Sequence, residues 1–487
     1  MTPTVSATAA VTRRRRRWLR WSLLLGLPLL ALAVPLGVME YNHWSDEREL
    51  AEAIAETDRL DPRWRLDEIL ADRPAIADAD NPALVVGKVD ALLQPGVFDL
   101  GERNERLFEK ENLSPANRLN DPQIVAVRVA LEKHARALKL ARTLKDFRGE
   151  GRFAIEYAPV HIQTPFAPLQ RCRGVMQMLQ LDAFLRAEEE DGAGALQSCR
   201  AVLVAARSIG NEPDLPVMLI RVAGQRMAVD ALERVLAQSE KLPAAELKAM
   251  QELLAREIAA PILLHALRGE RGGWDRSLAN LQIGTITLAQ FNGGKEANSW
   301  GDWLETSWLV RCRPQYLRLM NQAVEAVRQP VEKQSEAMKQ FTSALEAMDR
   351  DPARRSPVLL IVPAVHKLAN TNRCQQANLR SALVAVVVER YRLEHDAWPE
   401  RLEDVVKAGL LDAAPLDPMN GQPLRYKRLA DGVVVYSVGV DGADDGGRIN
   451  RDNREDPGYD LGVRLWDVDR RRQNPLPPPI DEEGGRR

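Results

Sequence analysis

An almost purely apolar run from Leu23 to Met39 stands between six arginines (Arg13 to Arg17 and Arg20) and the acidic residues Glu40, Asp46, Glu47 and Glu49. As a helix the run is about 25 Å long, inside the lower range for a membrane span. Trp18 and Trp21 lie at its edge, where interfacial aromatics anchor a span, and Pro28 and Pro35 are tolerated in membrane helices. The arginine bias predicts a cytoplasmic N-terminus and export of the rest. Residues 1–20 therefore read as a basic cytoplasmic segment and 21–39 as a single transmembrane anchor in contact with membrane lipid. A cleaved secretory signal is the alternative, because Ala31-Leu32-Ala33 offers a small-residue cleavage site. Both readings export the same bulk.

Charge narrows the partners. The chain holds 67 Lys and Arg against 69 Asp and Glu. Setting aside the six arginines before the run leaves an exported portion with a net charge of about −8, which lacks the basic surface that neutralises phosphates. Nucleic acid is excluded as a partner on that ground. The four cysteines, Cys172, Cys199, Cys312 and Cys374, form no CxxC pair, which argues against a structural zinc site. One or two disulfides in an oxidising compartment and buried free thiols both remain open.

Residues 47–265 carry helical periodicity. Val127, Leu131, Ala135, Leu138 and Leu144 recur within 124–144. A second helix is expected after Asn211-Glu212-Pro213, with Leu215, Leu219, Val222, Val229, Leu232 and Leu236, and a third after Pro243, with Leu247, Met250, Leu254 and Ile258. Such helices must bury their stripes against one another, as a multi-helix bundle or an irregular hairpin array. Residues 266–308 read as a Gly/Trp-rich loop region, punctuated by Gly269, Gly272, Gly273 and Asn292-Gly293-Gly294. Its Trp274, Trp300, Trp303 and Trp308 suit either a binding groove or a plug onto the helices. A helical extension over 309–369, strongest from Tyr316 to Met348, follows.

Residues 370–470 change grammar. A helix containing Leu383, Val387 and Tyr391 leads to Trp398-Pro399, a short helix over 400–408, and tight turns at 415–424. Two strands are expected at 424–427 and 433–438. Then comes an acidic, glycine-rich loop, with Asp441, Asp444, Asp445 and, further on, Asp452, Glu455, Asp456 and Asp460. Crowded carboxylates repel unless compensated, and Ca2+ accepts such oxygens together with carbonyls and water in flexible geometry. An arginine-compensated acidic turn is the competing account. Residues 471–487, with Pro475, Pro477, Pro478 and Pro479, read as a disordered tail.

The text from Tyr391 to Pro399, then Asp417-Pro418-Met419-Asn420-Gly421-Gln422-Pro423-Leu424-Arg425-Tyr426, then Tyr436-Ser437-Val438-Gly439-Val440-Asp441-Gly442, resembles the globular domain of the type II secretion major pseudopilin. That resemblance covers about one hundred residues and implies a calcium ion held by Asp441 and Asp460, with Asp444 and Asp445 in the intervening loop. The pseudopilin processing site and its "FTLxE"-like start are missing, and Met419 stands where that family has Trp. The chain as a whole also resembles large exported envelope proteins of Planctomycetes, which implies a bacterial cell membrane location.

The expected fold is a predominantly α-helical ectodomain with a small C-terminal α+β pseudopilin-like domain, after one N-terminal transmembrane helix. The six histidines, His43, His134, His161, His265, His366 and His395, form no HExxH or HxH pair, and no GxSxG, P-loop or GxGxxG motif occurs. The expectation is a non-catalytic envelope binding or assembly protein, with an envelope protein or a glycan as partner. A mainly structural role and an enzyme with dispersed catalytic residues are the alternatives.

Overall fold

The computed structural model describes residues 41, 44–93, 114–166, 169, 171–294, 300–350, 356–362, 365–451, 453 and 455–476. The basic segment and the apolar run lie outside these residues. Among the described residues no helix is long and apolar enough to cross a membrane.

The protein is mostly helical, with one small antiparallel sheet. Its helices are α1 (44–60), α2 (Leu66–Ala71), α3 (Pro82–Asp90), α4 (Asp121–Lys133), α5 (Ala135–Ala141), α6 (Cys172–Glu188), α7 (Gly192–Arg207), α8 (Leu215–Gln238), α9 (Ala244–Ile258), α10 (Ile262–Gln282), α11 (Leu288–Phe291), α12 (Trp300–Arg311), α13 (Arg313–Arg328), α14 (Gln334–Arg350), α15 (Val358–Ile361), α16 (Val365–His395) and α17 (Leu402–Lys407). The strands are β1 (Arg425–Leu429), β2 (Gly432–Ser437) and β3 (Leu461–Trp466), in the order β1-β2-β3.

Local chemistry sets the helix starts. Asn120 and Gln123 form a reciprocal capping box at α4, Asp191 accepts the Gly194 amide at α7, and Asp214 accepts the Val217 amide at α8. Each cap satisfies backbone donors that the first turn leaves free. The expected stripe of α8 is buried at Leu215, Val222, Val229, Leu232 and Leu236. The span 124–144 is not one helix: it breaks at His134 into α4, α5 and a 3-10 turn. The span 316–348 breaks before Pro330, where proline offers no N–H to continue the ladder.

Two large hydrophobic cores and two small clusters result among the described residues. One core gathers α3 to α9 with the second half of α16 and the sheet; the other gathers α1, the start of α8, α10 to α15 and the first turns of α16. Helix α16 thus passes from one core to the other. Its middle is buried on every side, as a helix enclosed by neighbours must be. Helices α8 and α9 and strands β2 and β3 all pack on it.

The reading of 266–308 as a loop is corrected. Gly269, Gly272, Gly273 and Trp274 lie inside α10, and α11 and α12 follow. The glycines are there for close approach: a Cβ on Gly269 would stand 2.1 Å from the Pro213 carbonyl oxygen, and one on Gly273 would stand 2.2 Å from the His161 ring. Packing supplies what the helix loses in propensity. Trp274 is buried and donates to Glu270, whereas Trp308 is exposed.

Two features escaped the sequence reading. Strand β3 completes the sheet, with Val435 opposite Val463 and Val433 opposite Leu465. The first residues of the expected tail are also structural: Arg471 is fully buried with both oxygens of Glu389 on its guanidinium, and the Gln473 amide donates to Ala116. All four cysteines are buried, and no disulfide joins them.

Candidate functional site

The four aspartates of the C-terminal loop divide into two settings. Asp441 accepts the amides of Ala443 and Gly458, at 3.0 and 2.7 Å, which hold its carboxyl below the usual range. Asp444 accepts the Tyr436 hydroxyl and the Gly446 amide and pairs with Arg425 at 2.9 Å. Burial pushes its carboxyl up, but these partners outweigh that and hold it low. Asp460 is buried and accepts the amides of Asp445 and Gly447. Burial, with Asp444 and Asp445 nearby, raises its pKa. Asp445 leaves Oδ2 buried without a hydrogen-bond partner among the described residues.

Asp445 and Asp460 are therefore joined through the Asp445 amide, while Asp444 and Asp441 bind other amides of the loop. The Asp445 oxygen is an acceptor that a cation would satisfy. The four side chains do not, however, form a set whose ligand atoms all lie within 4.8 Å of one another.

The turn before the sheet has a different task. Asp417 is fully buried and accepts the Met419 amide at 2.8 Å, the Ser437 hydroxyl at 2.7 Å and the Val438 amide at 2.9 Å. The Asp-Pro-Met-Asn-Gly text thus staples its own turn to the end of β2.

A cleft of about 890 Å3 opens on the helical side, between the chain after α2 and the segment 146–152. Asn81, next to the lining residue Asp80, ties the two sides together: as N-cap of α3 it accepts the Arg152 amide and donates to the Arg152 carbonyl, both at 2.9 Å. Arg73, Arg148, Arg152, Asn211, His265 and Arg268 line it. Arg73 clamps Glu212 with two bonds, and Arg268 pairs with Asp61 at 2.8 Å. Arg152 makes no ion pair among the described residues, and its Nε, like that of Arg73, is buried without a partner, as is the Asn211 side-chain oxygen. Burial, with Arg73 nearby, lowers the Arg152 pKa; burial, with Arg268 nearby, lowers that of His265.

Beside this cleft lies a buried cluster of His161, Asp214 and Glu270. Among the described residues it is the group of three His, Cys, Asp or Glu side chains whose ligand atoms all lie within 4.8 Å of one another. His161 Nε2 is 3.4 Å from Glu270 Oε2 and 3.6 Å from Asp214 Oδ2. Its Nδ1 is covered, without a partner among the described residues. Burial, with the Glu270 charge, raises Asp214 to about 6. Sequence reading missed this group because its members are spread over more than one hundred residues. The only local signal was Asp214 in a helix-capping position.

In comparisons with protein-family models, curated proteins and solved structures, nothing matches this chain.

Proposed function

We propose that this chain is a non-catalytic envelope binding protein, tethered by residues 21–39 to a bacterial cell membrane, whose cleft receives a carboxylate-bearing glycan. The observation that carries the reading is Arg152, a half-buried guanidinium in the cleft that makes no ion pair among the described residues, the nearby Glu212 being clamped by Arg73. An unpaired cation at a poorly solvated site is costly, and a bound carboxylate would compensate it through charge-assisted bonds. Arg148 beside it adds charge, and the Asn211 oxygen would accept from a sugar hydroxyl.

The C-terminal unit is read as a pseudopilin-like α+β domain that calcium stabilises. The order of long helix, short helix and antiparallel strands supports this, as does the unsatisfied Asp445 oxygen beside Asp460. The ion would be held by Asp445 and Asp460, with Asp444 and Asp441 completing the loop, and it would neutralise their mutual repulsion.

Titration calorimetry with glucuronate on the full-length protein in detergent tests the cleft. Binding is expected, and an Arg148→Ala/Arg152→Ala double variant should weaken it by at least about tenfold, the worth of one charged hydrogen bond. Equal affinity in the double variant, or no heat with the wild type, refutes the reading. Calcium titration of the same protein, with Asp445→Asn and Asp460→Asn beside it, tests the loop: no heat and no thermal shift would leave a turn compensated by Arg425.

A further inference from the structure

The cluster of His161, Asp214 and Glu270 has the construction of a metal site. His161 sits in a single 3-10 turn, His161–Gln163, whose first amide donates to Ser277 Oγ of α10 at 2.8 Å. Its ring lies on Gly273 of the same helix, where any side chain would collide with it. Asp214 commits Oδ1 to the Val217 amide at 2.9 Å, and Glu270 commits Oε1 to the Trp274 indole at 2.8 Å. Each carboxylate therefore has one oxygen fixed by a hydrogen bond and the other turned toward His161 Nε2. Such outer bonds orient the ligands of metal sites.

The spacing discriminates between a hydrogen-bonded triad and an ion site. A direct bond between imidazolium and carboxylate draws nitrogen and oxygen to about 2.7–2.9 Å. Ligands sharing a tetrahedral ion with bonds of about 2.0–2.1 Å stand roughly 3.3 Å apart. The observed 3.4 and 3.6 Å lie with the second case. Charge agrees: the ion pairs of Asp214 and Glu270 among the described residues are both to His161, so a neutral imidazole leaves two buried negative charges for a divalent cation to balance.

We infer that His161, Asp214 and Glu270 bind one divalent transition metal of the zinc class, which clamps the 159–164 segment onto α8 and α10. One nitrogen and two oxygens suit zinc, which takes mixed His and carboxylate ligands, better than calcium, which needs six to eight oxygens. Three side chains leave a fourth position for water. None of its three side chains lines the cleft or belongs to the C-terminal loop.

The test uses the full-length protein in detergent, stripped with chelator, reloaded with Zn2+ and freed of excess by gel filtration. One zinc per chain and a raised melting temperature are expected. His161→Ala and Glu270→Gln should each weaken retention at least about tenfold, while Asp445→Asn/Asp460→Asn retains the metal. If either single variant fails to fold, the visible spectrum of the Co2+-loaded wild type decides. Intense tetrahedral bands support the site, and the weak octahedral spectrum of solvated cobalt refutes it. Wild-type protein that keeps no zinc, or folded variants that keep a full equivalent, overturn the inference.

Discussion

Arg221 grips Glu257 with two parallel bonds, Nε to one carboxylate oxygen and a terminal nitrogen to the other, both 2.8 Å long and both inside the protein. Gln225 and Arg207 bond the same carboxylate, and Arg221 also reaches Glu150 at the edge of the cleft. Helices α7, α8 and α9 are thereby joined by polar groups where their cores meet. Burial alone would raise the Glu257 carboxyl, but Arg221 and Arg207 more than reverse this and hold it at about 2. Removing one partner strands a buried charge, so Glu257→Ala should cost about 3–5 kcal/mol in urea unfolding.

The sign of the pH effect follows from the depressed value. A carboxyl whose folded pKa lies below its ordinary 4.5 contributes fully above 4.5 and progressively less as pH falls toward about 2. Wild-type stability should therefore fall between those pH values. A Glu257→Gln variant, less stable at neutral pH, should lack that share of the fall. Parallel slopes for the two proteins would refute the assignment.

Two helical glycines should respond oppositely to alanine. Gly273→Ala forces a Cβ into the His161 ring, and overpacking of this kind costs about 1–3 kcal/mol. Gly87 in α3 faces open space, so Gly87→Ala should stabilise by about 0.5–1 kcal/mol through helix propensity and a less flexible unfolded chain. Thermal unfolding of the pair reads both signs.

Asp417→Ala should loosen the C-terminal unit. The substitution leaves the Ser437 hydroxyl and the Val438 amide buried without an acceptor, at about 1–3 kcal/mol for each unsatisfied group. Hydrogen exchange should quicken at Met419 and Val438 before it does in α6 and α7. Uniform exchange across the protein would show that the turn is no staple.

The thiols should be silent in the folded protein. Burial pushes Cys172, Cys312 and Cys374 up to about 12 and Cys199 higher still, so little thiolate is present at neutral pH. Ellman's reagent should label none in native buffer and all four in guanidinium. Fewer than four in guanidinium without reductant would reveal a disulfide.

Periodicity and punctuation sufficed for what depends on neighbours along the chain. The apolar stripes of α8 and α9 and the pair β1 and β2 were legible, since helical and strand repeats act over a few residues. Interactions across the chain were not. Glycines 269, 272 and 273 read as loop because their reason, contact with Pro213, Trp64, Leu66 and His161, lies elsewhere in sequence. Strand β3 follows an acidic loop and pairs only with β2, and Arg471 looked like tail until Glu389 met it. The boundary drawn at residue 370 falls within α16, because a long helix can serve two cores and composition does not mark where one ends. The cluster of His161, Asp214 and Glu270 belongs wholly to tertiary structure: a site is set by distances of a few ångströms, and folding alone converts separations of fifty residues or more into such distances.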